Sequence, residues 1–275
     1  MDESSISYGY RNQAGYKVSR RWCPDPLGNL ESKDDKANAR GSFSLVAFIT
    51  DRPECQKLLP QFIIGNTHKL TLAVMAAWAA RGPHSNLRVL RQNSAWNGGA
   101  SMRQILTILK ACLPGFVIVL VLDVASSHID QFVAAHASRL GIRLVFVPAL
   151  CTFCLQPLDV AVFACLKQMI RMLFQQALIR AGGASVDTLP LLELVAQAVL
   201  EVLVKKTWQK AFHDTGIAAK QQHISASTYR KLGISAGELH VPPGLPDFGQ
   251  LSLVFPRNRR INAARYFRYI VRDLD

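Results

Sequence analysis

The sequence predicts an α/β domain in which a mixed sheet is flanked by helices. Three observations carry that expectation. The run FVIVLVL at 116–122 is apolar without alternation and rich in Val and Ile, the pattern of a strand covered on both faces. A helical segment (129–140) and a second apolar run (142–147) follow, so strand, helix and strand make a right-handed parallel unit. Earlier, SFSLVAFIT (42–50) and LLPQFII (58–64) are joined by a link too short for a crossover helix, which makes them antiparallel neighbours.

In chain order, residues 1–5 are polar and carry Asp2 and Glu3, and 6–22 alternates loosely in a way that fits one or two strands. Residues 23–41 are punctuated by Pro and Gly and read as a loop. The strand at 58–64 stops at Gly65 and Asn66. The Ala-rich stretch 70–81 is a helix or an irregular insertion, and 87–90 is a short strand. Asn97-Gly98-Gly99 is a turn, and Ser101 is the expected cap of a helix through Leu113, with Met102, Ile105, Leu106 and Leu109 on one face. Gly141 closes the helix at 129–140. Residues 148–157 read as a loop, and Asp159 as the N-cap of a long helix whose apolar stripe is Leu166, Met169, Ile170 and Leu173. Ala181-Gly182-Gly183 breaks it. Residues 189–206 form a further helix with Glu193, Gln197, Glu201 and Lys205 down one face, and 207–217 extends it or starts a short one. The proline-punctuated stretch 240–256 reads as a surface arm or linker, and 261–271 as a helix with Arg265, Arg268 and Arg272 on one side.

The 275 residues allow one large domain, or one domain plus a small appendage. At 49% hydrophobic and 19% charged the chain can build a core, which argues against global disorder. Lys and Arg number 32 against 19 Asp and Glu, a net charge of +13, and such a surplus favours a polyanionic partner, DNA or RNA first. Of the six cysteines (23, 55, 112, 151, 154 and 165), Cys112, Cys154 and Cys165 sit in apolar, helix- or strand-like contexts, which suggests a reduced, intracellular protein. Cys151 and Cys154 form a C-x-x-C without a second Cys or His pair at zinc-finger spacing, a weak signal for zinc or redox chemistry. The opening MDESSISYGY has no signal-peptide character, and Asp123 stops the longest apolar run short of a membrane span. A soluble protein with no membrane partner is expected.

The chemistry concentrates in two acids, Asp123 and Asp159, 36 positions apart, each placed after an apolar element. A carboxylate at the carboxyl end of a buried strand faces the crevice where such sheets bind ligands. There it can hold Mg²⁺, which takes few protein carboxylates and keeps room for water and phosphate oxygens. Two such ions about 4 Å apart activate a nucleophile and stabilise the leaving oxygen in phosphodiester cleavage. The ordinary alternatives are a loop Asp and a helix N-cap worth ~1 kcal/mol. The element order, antiparallel strands, helix, parallel strand, helix, strand, acidic helix start, is that of a ribonuclease-H-type sheet.

These residues also carry a family resemblance. LVLDVASSH (120–128) resembles the second acidic motif of the DDE superfamily endonucleases, in the pogo/Tigger/jerky-like transposase group, and VPALCTFCLQPLDVAVFACLK (147–167) resembles the third. LQPLDVAVF is the most specific part. The 35 residues between Asp123 and Asp159 fit the group's spacing, and MDESS resembles the first motif, pointing to Asp2. Weaker echoes are RVLRQNSAWN (88–97) and TWQKAFHDTGI (207–217). The resemblance implies a ribonuclease-H-like mixed sheet in residues 1–217, whose first central strand is cut short because only Met1 precedes Asp2, followed by a basic, Pro-containing extension (218–275). It implies that Asp2, Asp123 and Asp159 are catalytic and coordinate two Mg²⁺ or Mn²⁺ ions for DNA strand cleavage and transfer in the nucleus. Glu3 is a supporting residue. His128 and Ser127 position substrate or carboxylate, or Ser127 caps the following helix. Gln156 braces the third acid or makes an ordinary loop hydrogen bond, and Thr152 is open in the same way. DNA is the implied partner, with a homo-oligomer allowed. The terminal basic residues (Arg11, Lys17, Arg20, Arg21, Arg257, Arg259, Arg260, Arg265, Arg268 and Arg272) are candidate phosphate contacts or a solvated face. Two rival expectations stand beside this one: a catalytically inactive, transposon-derived relic that binds DNA or protein, and an unrelated α/β metal-dependent hydrolase with a deep small-molecule pocket.

Overall fold

A computed structural model describes residues 1–6, 43–82, 86–95, 97–148, 151–180, 186–217 and 224–232. The expected elements at 7–22, 23–41, 240–256 and 261–271, and the terminal basic residues, lie outside them. Strand β1 (Asp2–Ile6) pairs antiparallel with β2 (Phe43–Ala47), and β2 pairs antiparallel with β3 (Gln61–Asn66). The four-residue helix α1 (Pro53–Gln56) lies in the link between β2 and β3. Helix α2 (Leu72–Ala80) then carries the chain over to β4 (Leu87–Gln92), parallel to β3. The Ala-rich stretch is therefore a helix, capped by Thr71, whose hydroxyl accepts from the Val74 amide at 3.2 Å. The result is a four-stranded mixed sheet in the order β1-β2-β3-β4.

Helix α3 (Gly99–Cys112) leads into β5 (Ile118–Leu122), and α4 (Gln131–Arg139) returns the chain to β6 (Ile142–Phe146), parallel to β5. This is the predicted parallel unit. It meets the larger sheet at β1, where the Met1 amino group donates to the Val121 carbonyl at 2.9 Å. The remaining helices are α5 (Thr152–Leu155), a π turn (Leu158–Val162) running into α6 (Phe163–Arg180), α7 (Thr188–Val199) with a second π turn (Leu200–Val204), α8 (Gln209–Asp214) and α9 (Ala226–Leu232). Among the described residues no helix is long and apolar enough to cross a membrane.

Strand alternation divides the core into two layers. Phe43, Leu45, Ala47 and Ile63 point to one side and pack against Leu166, Ile170 and Phe174 of α6 and Leu192 and Val195 of α7. Val46, Phe62 and Ile64 point to the other, where Met102, Ile105 and Leu109 of α3 and Val133 and Ala137 of α4 also cover Leu120, Leu122, Leu144 and Phe146. The helix stripes read from the sequence are the buried faces. Lys205 pairs with Glu201 at 2.5 Å, and Glu193 pairs with Arg81, the C-cap of α2, along the predicted charged face of α7 and its π turn.

Four local expectations are corrected. Ser101 is not the cap of α3: Gly98 is, and the Ser101 hydroxyl, three residues on, accepts from the Gly98 amide at 2.9 Å. Ser127 does not cap α4: Asp130 accepts from the Phe132 and Val133 amides at 2.7 and 3.3 Å, and a carboxylate there also suits the helix dipole. The stretch 148–157 contains the short helix α5. Finally, β5 is not covered on both faces among the described residues: Val119 is 55% exposed and Val117 88%.

Gly65 shows how tight the first layer is. A Cβ there would stand 2.5 Å from Leu70 and 2.7 Å from Phe43, both fully enclosed. Gly65→Ala is expected to destabilise the fold by about 1–3 kcal/mol through overpacking, read as a lower denaturant midpoint with an unchanged slope.

Candidate active site

Three chain segments deliver acids to one place, where β1 meets the end of β5. Asp123 follows β5 directly, just after Leu122, whose carbonyl accepts from the Val147 amide at 2.6 Å. The turn behind it is closed by the His128 and Ile129 amides, which both donate to the Ala125 carbonyl. That turn drives the His128 ring, 1% exposed, back over Asp123, with Nδ1 2.5 Å from Asp123 Oδ1. On its far side Nε2 lies 3.4 Å from Glu3 Oε1, within ion-pair range but without an aligned hydrogen bond. Glu3 also accepts from Asn97 Nδ2 at 2.8 Å, and Asn97 Oδ1 accepts from the Ser101 hydroxyl at 2.8 Å.

Because neighbouring strand residues face opposite ways, Asp2 and Glu3 part company. Glu3 turns to the His128 and Asn97 side, and Asp2 to the side of Asp159. Asp2 is 8% exposed and spends one oxygen on the Glu3 amide at 2.7 Å. Asp159 lies at the surface in the π turn after Pro157. It is therefore not the N-cap the sequence suggested. Lengthening the hydrogen-bond spacing there re-aims the side chain, as π turns at functional sites do. Thr152, Lys167, further along α6, and Asp2 are the neighbours that favour the charged form of Asp159.

The electrostatics follow from crowding. Burial first, then the charges of Asp159 and Asp123, push the Asp2 carboxyl up to about 7. Partial burial and the Asp123 charge raise Asp159, against the pull of Thr152 and Lys167. The nearby Asp159 charge thus helps to keep the Asp2 carboxyl protonated toward neutral pH. Burial would raise Asp123 as well, but the bond and charge of His128 outweigh it and hold Asp123 below the usual carboxylate range. Burial opposes a charge on His128, yet its bond to Asp123 and the nearby Asp123 and Glu3 carboxylates prevail and lift it to about 9. The site at neutral pH therefore holds an ionised Asp123 against an imidazolium, beside an acid pair short of positive charge.

Of the expected residues, the structure brings together Asp2, Asp123 and Asp159, with Glu3, His128 and Thr152 as their partners. Gln156 acts elsewhere: its Nε2 donates to the Met1 carbonyl at 3.1 Å, so it braces the start of β1, while its Oε1 is buried without a partner. Asn97 and Lys167 were not singled out for the site, although both lie in stretches that carry the resemblance. The hard carboxylate oxygens suit a divalent cation, and the mutual repulsion of the three acids is what a cation would relieve. Among the described residues, however, no three His, Cys, Asp or Glu side chains stand together as a ready ligand set.

The chain belongs to the DDE superfamily endonuclease family, whose model matches residues 54–220. The match includes Asp123, His128, Asp159 and Lys167, and Asp2 and Glu3 lie outside it. No curated protein and no solved structure matches the chain.

The two displaced titrations have opposite origins but the same sign in pH. The raised Asp2 pKa means that the unfolded chain loses its proton from about pH 3.8 and the folded chain only near 7, so stability falls across that window. The raised His128 pKa gives stability that is complete below about 6.5 and lost as pH rises through about 9. In chelator, Asp2→Asn is expected to be more stable than the parent at pH 8 by up to a few kcal/mol and about equal to it at pH 4. His128→Gln is expected to flatten the decline between pH 6.5 and 9. Thermal melts across that range check both.

Proposed function

We propose that this chain is a transposase-derived, DDE-type endonuclease domain that cleaves and transfers DNA strands with Mg²⁺ or Mn²⁺ in the nucleus. The observation that carries the reading is the gathering of Asp2, Asp123 and Asp159, from three distant segments, into one cluster of mutually raised or strongly paired carboxyls. The sheet supports it. The four-stranded sheet β1-β2-β3-β4 and the parallel β5–β6 pair, tied by the Met1–Val121 bond, are compatible with a ribonuclease-H-like domain. The net charge of +13 suits a phosphate backbone.

In this mechanism Asp2, Asp123 and Asp159 would hold two divalent ions, which would supply a deprotonated nucleophile and neutralise the leaving oxygen. The chain's own residues prepare that state. His128 keeps Asp123 ionised and fixes its orientation. Glu3, held by Asn97, keeps the imidazole charged from behind. Positive charge at the site would favour the ionised form of Asp2, whose carboxyl is raised to about 7, so ion binding would release protons near neutral pH. Gln156 ties the Asp159 segment to the strand that carries Asp2.

One observation favours the second reading, a catalytically silent relic that keeps the fold and binds DNA or protein: the acids do not stand as a ready ligand set among the described residues. A nicking assay on supercoiled DNA separates the two. Asp123→Asn is expected to lower Mg²⁺- or Mn²⁺-dependent nicking by at least ~100-fold while salt-sensitive DNA binding persists. Nicking that is unaffected by Asp123→Asn defeats the nuclease assignment. Binding with no nicking in the parent protein supports the relic.

A further inference from the structure

Cys151 and Cys154 take no part in the mechanism above, yet they flank a residue that serves the third acid. Both thiols are free and enclosed, 2% and 0% exposed. They belong to the first turn of α5, where the Cys151 carbonyl accepts from the Cys154 and Leu155 amides at 3.1 and 2.8 Å and from the Cys154 thiol at 3.2 Å. Between them stands Thr152, a neighbour that favours the charged form of Asp159.

Residues three apart in a helical turn share one side of it, about 5–6 Å apart between Cα atoms, which is the separation a disulfide spans. The Cys154 sulfur is already folded back onto the Cys151 backbone. The two thiols also differ. The neighbouring Cys154 thiol, against burial, holds Cys151 below the ordinary thiol value, while Cys151 and burial raise Cys154. Cys151 is thus the readier nucleophile and Cys154 the reserve. Val147 and Leu155 enclose the pair, with Val121 and Ile224 packed against them. Such walls keep out a bulky oxidant and pass a small uncharged one when the short helix opens locally. Among the described residues no third His, Cys, Asp or Glu joins the two sulfurs, so they fall short of a zinc set.

We propose that Cys151 and Cys154 are a redox-modification site: hydrogen peroxide joins them in a reversible disulfide across the turn that carries Thr152. The Cys151 thiolate attacks one peroxide oxygen and the O–O bond breaks. Cys151 is oxidised to the sulfenic acid, and the other oxygen, completed by the proton that Cys151 gave up, leaves as water. The Cys154 sulfur then attacks the Cys151 sulfur, the S–OH bond breaks, and the Cys154 proton leaves with that hydroxyl as a second water. Two thiols and one peroxide give one disulfide and two waters, and an external dithiol returns the electrons. The bridge replaces the bond from the Cys154 thiol to the Cys151 carbonyl and tightens the turn, which moves Thr152 relative to Asp159. The disulfide stands independently of the nuclease assignment, and its effect on cleavage rests on that assignment.

The test exposes the reduced full chain to hydrogen peroxide and maps its peptides by mass. The expected product is a Cys151–Cys154 disulfide, seen as the loss of two hydrogens and restored by dithiothreitol. In Cys154→Ala, Cys151 is expected to stop at the sulfenic acid and react with dimedone, and in Cys151→Ala neither product is expected. Mg²⁺-dependent nicking is expected to fall on the order of 10-fold in the oxidised parent and to recover with dithiothreitol, while Cys151→Ala nicks equally before and after peroxide. Oxidation of Cys112 or Cys165 that leaves the pair as thiols overturns the proposal. Equal nicking by the oxidised and reduced parent overturns the link to Asp159. A parent that forms the disulfide but nicks in neither state supports the modification site and counts against the nuclease assignment.

Discussion

The position of β1 is the constraint on which the rest depends. Five residues, DESSI, lie against β2 along their whole length and touch β5 at one end. Without them the four-stranded sheet would end at β2, and the β5–β6 pair would have no partner on its inner side. With them, α3 and α4 share a single apolar layer across both sheets. The same strand decides the chemistry. Its alternation sends Asp2 toward the π turn and Glu3 toward His128, so one dipeptide serves both halves of the site.

Burying three carboxyls near one another works against stability, and the structure answers each differently. Asp123 is compensated locally by a buried imidazolium in direct contact, the arrangement in which a buried charge is tolerated. Asp159 stays at the surface, with Thr152 and Lys167 to hold it. Asp2 is buried, and against that burial and two acid charges it has only its bond to the Glu3 amide and the weaker pull of the amino terminus. The residual strain is therefore concentrated on Asp2. An uncompensated acid in an otherwise well-packed core signals function more clearly than a paired one, since a purely structural role would be met better by an uncharged residue.

Much of this was legible in the sequence because it rests on periodicity and local steric rules. The β5–α4–β6 unit, the antiparallel β2–β3 pair and the buried faces of α3 and α6 follow from apolar spacing alone. Asp123 follows from its place after a strand. What was missed depends on contacts across the fold. Ser127 and Asp130 are both acceptable caps by residue type, and only the depth of the turn that buries His128 leaves the role to Asp130. Asp159 reads as an N-cap because it precedes an apolar helix, but Pro157 and the preceding short helix start the winding earlier, so the acid falls inside a π turn. Gln156 could not be assigned a partner, because Met1 is 155 positions away. The exposed side of β5 is invisible to composition: Val119 is as apolar as Leu120, and only its neighbours differ.

The link from Gln156 to Met1 also explains how two remote motifs stay in register. LQPLDV places Gln156 three residues before Asp159, with Pro157 stiffening the connection. Gln156 is 1% exposed and grips the backbone of the residue next to Asp2. Any shift of the π turn therefore pulls on β1, and any slip of β1 leaves a second buried atom of Gln156 unpaired, at a cost of about 1–3 kcal/mol. A slip of one residue would also exchange the faces of Asp2 and Glu3, placing Glu3 against Asp159 and leaving His128 without its outer partner. Register, hydrogen bonding and charge thus oppose the same displacement, and the fold itself holds the acid pair in place.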